Sequence, residues 1–383
     1  MNFDEHRFEE VIVNYDRLRV PLSSMQRKEK QGVYRYYGAQ GVIDHIDEYI
    51  FDGEYLLIAE DGENLKSKKQ NIAQVAKGKF WVNNHAHILQ TNSKCELRYL
   101  YYLINSMDLS GYITGSAQPK LSQANMNKIP LIIPSIDEQN KILAIVGTID
   151  DKIEVNNEIN KNLEQQAQAI FKAWFIDFEP FDEKIPANWV VSKLGEIASI
   201  KTSSFSPVKN PDAQLEHYSI PAYDEQKYPV FESAEGVKSN KYILSKNSVM
   251  ISKLNPNTKR AWRPMCLSGL AVSSTEFIIF EAFNPAYKDF VFSIIDSTAF
   301  SDWMCAHTTG STNSRQRTTP SATLEFQVAL PDEKTITDFC AIVTPMYDTI
   351  SANICENQEL AQLRDSILPK LMSGELDVSN LNL

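Results

Sequence analysis

Two stretches of about forty residues, 197 positions apart, carry the same apolar stripe, and no other feature limits the architecture as much. The first runs from Pro134 to Phe175. Its apolar residues fall at Ile142, Ile145, Ile149, Ile153, Leu163, Ala167, Ile170 and Trp174. Asn156 and Asn160 fill the gap, so the spacing alternates between three and four. That is one face of a long helix, not the two-residue alternation of a strand. Ser135 and Glu138 make an S-x-x-E capping box, and Pro134 keeps the helix from starting earlier. At ~1.5 Å per residue the helix is a rod of roughly 60 Å, and a rod with one narrow apolar seam needs a partner.

The partner lies in the same chain. Pro134 falls on Pro331, and Ala144, Ile145 and Val146 fall on Ala341, Ile342 and Val343. The seam positions Ile142, Ile149, Ile153, Leu163, Ile170 and Trp174 fall on Phe339, Met346, Ile350, Leu360, Ile367 and Leu371. Asn156 and Asn160 fall on Asn353 and Asn357. Antiparallel pairing about a point near Glu158 closes the seam and sets Asn156 and Asn160 opposite Asn357 and Asn353. Seam asparagines cost stability and fix register and orientation. Pro345 is a departure, standing where the first stretch has Thr148. A proline inside a helix breaks or kinks it. The second rod is therefore expected to begin in earnest near Met346, after a separate short helix.

One globular stretch precedes each rod. In residues 1–130 the runs FEEVIV, YLLIAEDG and FWVNNHAHIL alternate with glycine-bearing turns, and LRYLYYLI reads as a helix. Pro180 and Pro186 end the first rod. Residues 189–331 echo the first globule. Leu194-Gly-Glu-Ile matches Phe8-Glu-Glu-Val, Ala234-Glu-Gly-Val matches Ala39-Gln-Gly-Val, Val272-Ser-Ser-Thr resembles Val82-Asn-Asn-His, and Thr309-Gly-Ser matches Thr114-Gly-Ser. The expected fold is α+β: two mixed α/β globules separated by two long helices that pair as an antiparallel coiled coil, with an internal pseudo-twofold repeat. The boundaries read as 1–133 for the first globule, 134–178 for the first spacer helix, 179–330 for the second globule, and 331–383 for the second spacer helix and tail.

Net charge is −11, which by itself argues against nucleic acid, but its distribution says more. Residues 135–175 hold seven acids and four bases, and residues 332–372 hold seven acids and three bases. Residues 63–79 hold five lysines and one acid, and residues 252–264 hold four bases and no acid. Acidic rods thus alternate with basic loops of the sign that a phosphate backbone attracts. The plainer reading of such loops is a solvated surface. No run reaches eighteen apolar residues, so no membrane span is expected, and the charged start MNFDEHRFEE lacks the core of a signal peptide. Five scattered cysteines without a C-x-x-C point to a reduced, cytoplasmic protein without disulfides or zinc.

Motifs that carry chemistry are missing. His85 and His87 have the spacing of two ligands on one strand face, but no third ligand is in an obvious position, so a structural role fits them better. Pro331-Asp332-Glu333-Lys334 resembles a fragment of a nuclease signature, compressed into a helix start where Asp332 serves as the cap. There is no P-loop and no G-x-G-x-x-G.

The stretches TGSAQPKLSQANMNKIPLIIPSIDEQNKI, LEQQAQAIFKAWFIDFEPF and ILPKLMSGELDVS, together with the globule–rod–globule–rod order, resemble the DNA-specificity (S) subunit of type I restriction–modification systems. The resemblance implies target-recognition globules that each read half of a split DNA site. It implies spacer helices that dock two modification (M) subunits, which bind S-adenosylmethionine and methylate adenine. It further implies restriction (R) subunits that use ATP and magnesium. No cofactor is expected in this chain, and no catalytic residue. Helix length then sets the gap between half-sites, so adding one turn to either rod is expected to change the gap and neither half-site.

For DNA, Ser116, Gln118 and Lys120 and their counterparts Asn313, Arg315 and Arg317 offer groups suited to bases or phosphates, and Lys66, Lys68, Lys69, Lys259, Arg260 and Arg263 suit phosphates. The pairing set is Ile142, Ile149, Ile153, Asn156, Asn160, Leu163 and Ile170 with Met346, Ile350, Asn353, Asn357, Leu360 and Ile367. Phe171, Trp174 and Phe175 are assigned to partner docking. Two other readings compete. One is an enzyme with an unrecognised site, against which the missing N/D-P-P-F/Y motif counts. The other is a coiled-coil adaptor with two protein- or peptide-binding domains.

Overall fold

The computed structural model describes residues 1–67, 70–115, 118–309 and 316–381. The chain divides into two compact units, Met1–Ile153 with Leu360–Leu383, and Glu154–Glu359. Both divisions fall inside the long helices Ile136–Phe175 and Glu333–Met372, so each unit holds one globule and part of each helix.

In the first unit, β1 (Phe3–Arg7), β2 (Ile12–Asn14), β3 (Gln31–Gly38), β4 (Gly41–Ile46), β5 (Phe51–Ala59), β6 (Ala73–Val82), β7 (Ala86–Thr91) and β8 (Pro130–Pro134) form two sheets. One pairs β1 with β8, and the other has the order β2-β7-β5-β6-β3-β4. On β5, Leu56 and Ile58 face a core with Phe8, Tyr99 and Ile142, while Leu57 faces a second core with Phe51, Phe80 and Ile88. Burial on both faces explains why YLLIA is continuously apolar. The expected LRYLYYLI helix is Leu97–Ser106, with Tyr99, Leu100, Leu103 and Ile104 buried.

The second unit has β9 (Val190–Lys193), β10 (Ala198–Lys201), β11 (Ser204–Phe205), β12 (Gln214–Tyr218), β13 (Val230–Ser233), β14 (Lys241–Ile243), β15 (Ser248–Ser252), β16 (Ala261–Trp262), β17 (Ala271–Ser274), β18 (Phe277–Ala282), β19 (Thr308–Thr309), β20 (Arg317–Thr318) and β21 (Gln327–Leu330). Its sheets are β10-β18-β15-β16, β11-β14-β17-β12-β13, β19-β20 and β21-β9. The parts that match the first unit are found in the backbone. Phe8 and Leu194 each open a 3-10 turn after the first strand, and their N–H groups donate to the carbonyls of Ile129 (2.9 Å) and Phe326 (2.8 Å). The parallel pair β3–β6 sets Tyr37 beside Val82, and the parallel pair β12–β17 sets His217 beside Val272. One sequence match is not structural. Ala39 lies in the β3–β4 turn, whereas Ala234 follows β13, the neighbour of β12. Two short turns of similar composition produced that match.

The first long helix starts as its capping box requires, with the Ser135 N–H donating to the Glu138 carboxylate at 3.3 Å and the Glu138 N–H donating to Ser135 Oγ at 3.4 Å. The second is capped by Asp332, which accepts the Thr335 N–H at 3.0 Å. In the second unit, Trp174 lies on Phe339 (6.0 Å between rings), Asn353 donates to Asn160 (2.8 Å) and Asn156 donates to Asn357 (2.8 Å). In the first unit, Arg364 donates to Asp150 (2.8 Å), and Ile142 shares a core with Leu371. Within each unit the paired helical segments therefore run in opposite directions, with the asparagines opposed as expected. Ile149, Asn156, Asn160, Ile350 and Asn357 are buried, and Ile153, Leu163, Ile170, Met346, Asn353, Leu360 and Ile367 are partly buried.

Two expectations fail in the structure. Pro345 does not end a helix, because Glu333–Met372 is continuous. The proline takes the hydrogen bond from the carbonyl of Ala341, but both residues are exposed and water can serve that carbonyl. Buried Val343 and Tyr347 hold the helix on either side of it. Nor do Phe171, Trp174 and Phe175 form an exposed docking patch. Phe171 and Phe175 are only 7% and 6% exposed, and their rings pack on Phe339 and Phe290. Trp174 is half-buried between Phe181 and Phe339. The last turns of the first helix use these rings within their own unit.

Candidate nucleic-acid interface

In the first unit a hairpin closes on Thr114 and Lys120, whose backbones exchange hydrogen bonds of 2.8 and 2.7 Å. Gly115 makes the turn possible. Its φ is +87°, and a Cβ there would stand 2.1 Å from the Gln118 carbonyl oxygen. The hairpin is tied to the end of β5 by the Leu121 N–H on the Glu60 carbonyl (2.8 Å) and by the Gly62 N–H on the Pro119 carbonyl (3.3 Å). Gln118 and Lys120 are left exposed.

A polar network lies beneath the hairpin. Lys120 Nζ is 3.1 Å from Glu60, whose other oxygen accepts Arg19 Nη1 at 2.7 Å. Arg19 also lies 3.6 Å from Asp16, and Asp16 lies 2.6 Å from His87 Nδ1. The far side of the His87 ring meets the Leu121 carbonyl oxygen at 2.9 Å. Burial works to raise the Glu60 carboxyl, but hydrogen bonds from Arg19 and Lys120 prevail and hold it below the usual range. The same balance, with His87 as the main donor, lowers Asp16. His87 is thus structural, and His85 pairs with Asp61 at 2.8 Å. Among the described residues no His, Cys, Asp and Glu cluster could hold a metal ion.

The second unit builds the same hairpin foot. Thr309 pairs with Arg317 in β19–β20, and the Thr318 N–H donates to the Lys253 carbonyl at 3.0 Å. Arg317 bridges to Leu254 as Lys120 bridges to Asp61. The side chains beneath differ. Lys253 takes the place of Glu60, and Glu276 takes the place of His85, each identified by the matching backbone bonds Lys253 N–H to Glu276 carbonyl and Glu60 N–H to His85 carbonyl (both 2.9 Å). Arg317 lies side-on against Glu276, with Nε at 2.9 Å and Nη2 at 3.0 Å from the two carboxylate oxygens.

The other candidates are placed as follows. Lys66 is exposed in the short helix Asn64–Ser67. Lys259 is 2.8 Å from Asp296. Arg260 meets Asp224 through Nε at 2.6 Å and Nη2 at 2.9 Å. Arg263 is largely buried, with Nε on Asp289 (2.7 Å) and Nη2 on Asp348 (2.8 Å). This last position ties the second long helix to the globule and leaves little of the guanidinium for a phosphate. Lys68, Lys69, Ser116, Asn313 and Arg315 lie outside the described residues. Sequence reasoning missed Asp16, Arg19, Glu60 and Glu276, because no local pattern joins residues forty or more positions apart.

Comparison with known proteins accords with this arrangement. Residues 7–165 match the model of the type I restriction modification DNA specificity domain. The MjaIX specificity subunit of a type I restriction enzyme from Methanocaldococcus jannaschii is 27% identical over 320 residues, 74% of this chain and 70% of that protein. The HindI specificity subunit from Haemophilus influenzae is 23% identical over 85% of this chain and 84% of its own. A type I restriction-modification S subunit from M. genitalium, solved as a crystal structure, has the same fold, with a TM-score of 0.63, 14% identity, and 97% and 96% of the two chains covered. Residues 7–165 are thus similar to a DNA specificity domain of the restriction–modification class. Over 74–85% of its length the chain is similar to the specificity subunits of type I restriction enzymes.

Proposed function

We propose that this chain selects the DNA sequence for a type I restriction–modification complex and is itself non-catalytic. The observation that carries this reading is the specificity-domain match over residues 7–165, joined to a second unit that rebuilds the same hairpin foot. Each globule reads half of a split duplex site. The two long helices form an antiparallel coiled coil with pseudo-twofold symmetry and dock two methyltransferase subunits, and restriction subunits join that complex. S-adenosylmethionine, ATP and magnesium belong to those partners. The setting is the cytoplasm. Among the described residues no helix is long and apolar enough to cross a membrane. Gln118 and Lys120 in the first unit, Arg317 in the second, and Lys66 with Lys68 and Lys69 are the favoured DNA contacts.

The test is to express the chain with its neighbouring methyltransferase subunit in a host lacking other adenine methylation, and to map N6-methyladenine across the genome. A split motif with a fixed gap, lost when the chain is omitted, is the expected result. A contiguous motif would mean that one globule alone reads DNA. No methylation, from a complex shown to form and bind cofactor, would favour a protein adaptor instead. Binding to the mapped duplex should weaken steeply with salt, by a log–log slope of about −0.9 per phosphate neutralised.

A further inference from the structure

We propose that Arg317 reads a guanine in the half-site of the second domain, and that Glu276 is the positioning residue that aims it. The inference rests on the DNA-specificity reading and goes beyond it in naming one base and one reader.

A guanidinium has two hydrogen-bonding edges, one made by Nε with Nη2 and the other by Nη1 with Nη2. Glu276 occupies the first edge with both of its oxygens, at 2.9 and 3.0 Å. The second edge finds no acceptor among the described residues, and the Arg317 side chain remains 44% exposed. Guanine presents O6 and N7 side by side in the major groove, which is the acceptor pair that this free edge fits. A side chain held on one edge also has less rotational freedom to lose when the other edge binds.

The comparison between the units supports a role for the carboxylate. Lys120 stands where Arg317 stands, on the equivalent hairpin foot, and it too rests on a glutamate, Glu60. Glu60 and Glu276 come from non-equivalent positions, the residue after β5 and the β17–β18 turn. Each unit therefore supplies the acid separately beneath the same cation. The two cations differ in what they can do. Lysine is a point charge suited to phosphate, whereas arginine held by a carboxylate has the shape to choose a base. Glu276 is near the surface, and among the described residues Arg317 alone bonds its carboxylate, so Glu276→Gln removes the aim while leaving the β-bridge and hairpin backbone in place.

The experiment uses the full chain in complex with its methyltransferase subunit. Methylation mapping supplies the half-site. Competition binding then compares three duplexes at fixed salt: the mapped site, the site with one G·C pair replaced by A·T, and an unrelated duplex. In the wild-type complex, replacement at one position in the second half-site is expected to weaken binding roughly 5- to 150-fold. Arg317→Lys and Glu276→Gln should reduce that penalty to about threefold or less, with binding of the unrelated duplex changed by no more than about threefold. Glu276→Asp should restore part of the discrimination. A thermal melt of each variant shows whether the fold is kept. The inference is overturned if no G·C position in that half-site matters, if Glu276→Gln keeps wild-type discrimination, or if it weakens all three duplexes alike. A wild-type complex that binds no duplex selectively overturns the DNA-specificity reading itself.

Discussion

The asparagine layer in the second unit provides a sharp test of how the helices are held in register. Asn156 is 1% exposed and Asn357 is 9% exposed. Asn156 Nδ2 donates to Asn357 Oδ1 at 2.8 Å and to Glu356 at 2.7 Å, while Asn156 Oδ1 is buried with no partner among the described residues. Replacing Asn156 by leucine removes the donor and leaves the Asn357 oxygen buried and unpaired. That should cost about 1–3 kcal/mol. In a unit of ~200 residues each kcal/mol corresponds to about 2–4 °C in Tm, so the single variant should melt about 2–12 °C lower. Asn357→Leu alone should behave similarly. The double variant replaces both polar partners by apolar groups and also removes the unpaired Asn156 oxygen. It should melt within a few degrees of the natural protein, giving a coupling of roughly 0.5–3 kcal/mol in a double-mutant cycle. Asn157, which accepts Asn357 Nδ2 at 3.0 Å, is exposed, so water can replace that bond. The double variant should lose register rather than stability, which would appear as weaker or less uniform site spacing in methylation maps. Thermal unfolding followed by circular dichroism gives the answer. Strict additivity, with the double variant falling by the sum of the singles, would refute the argument.

Three further outcomes follow from the packing. Arg263→Ala strips Asp289, which is 3% exposed, of the guanidinium that pairs with it and leaves its carboxylate, among the described residues, the Thr344 hydroxyl at 2.7 Å, so urea unfolding should show a loss of about 3–5 kcal/mol. Phe171→Ala should cost about 3–5 kcal/mol and lower Tm in the isolated chain, whereas a docking residue would lower partner affinity and leave Tm unchanged. Burial, aided by Arg263, pushes the Lys288 ammonium down to about 8 from its ordinary value of 10.5. Between those two values the unfolded chain binds the proton that the folded chain has released, so the Lys288 contribution to stability should rise with pH from about 8 to 10.5, opposed by Cys95, Cys266 and Cys340, whose thiols burial pushes up. Lys288→Met should remove that contribution, so that stability falls more steeply with pH over this range in a pH series of melts than it does in the natural protein.

What the sequence determined by itself is whatever depends on short-range periodicity. The stripe from Ile142 to Trp174 recurs at Phe339 to Leu371, and a repeated helical period needs no tertiary information to be recognised. The opposed asparagines followed from that repeat once antiparallel closure was assumed, and the Ser135–Glu138 box and the Asp332 cap are set within four residues. The tertiary structure decided the rest, because it depends on which surfaces meet. Pro345 is harmless because that face of the helix is exposed, and helical spacing alone does not tell which face a neighbour will cover. Phe171 and Phe175 are core because Phe290 and Phe339 arrive from more than a hundred residues away. Five basic residues that looked free in the sequence found a carboxylate: Lys120 on Glu60, Lys259 on Asp296, Arg260 on Asp224, Arg263 on Asp289 and Arg317 on Glu276. An ion pair forms only within about 4 Å, and separation along the chain carries no information at that range.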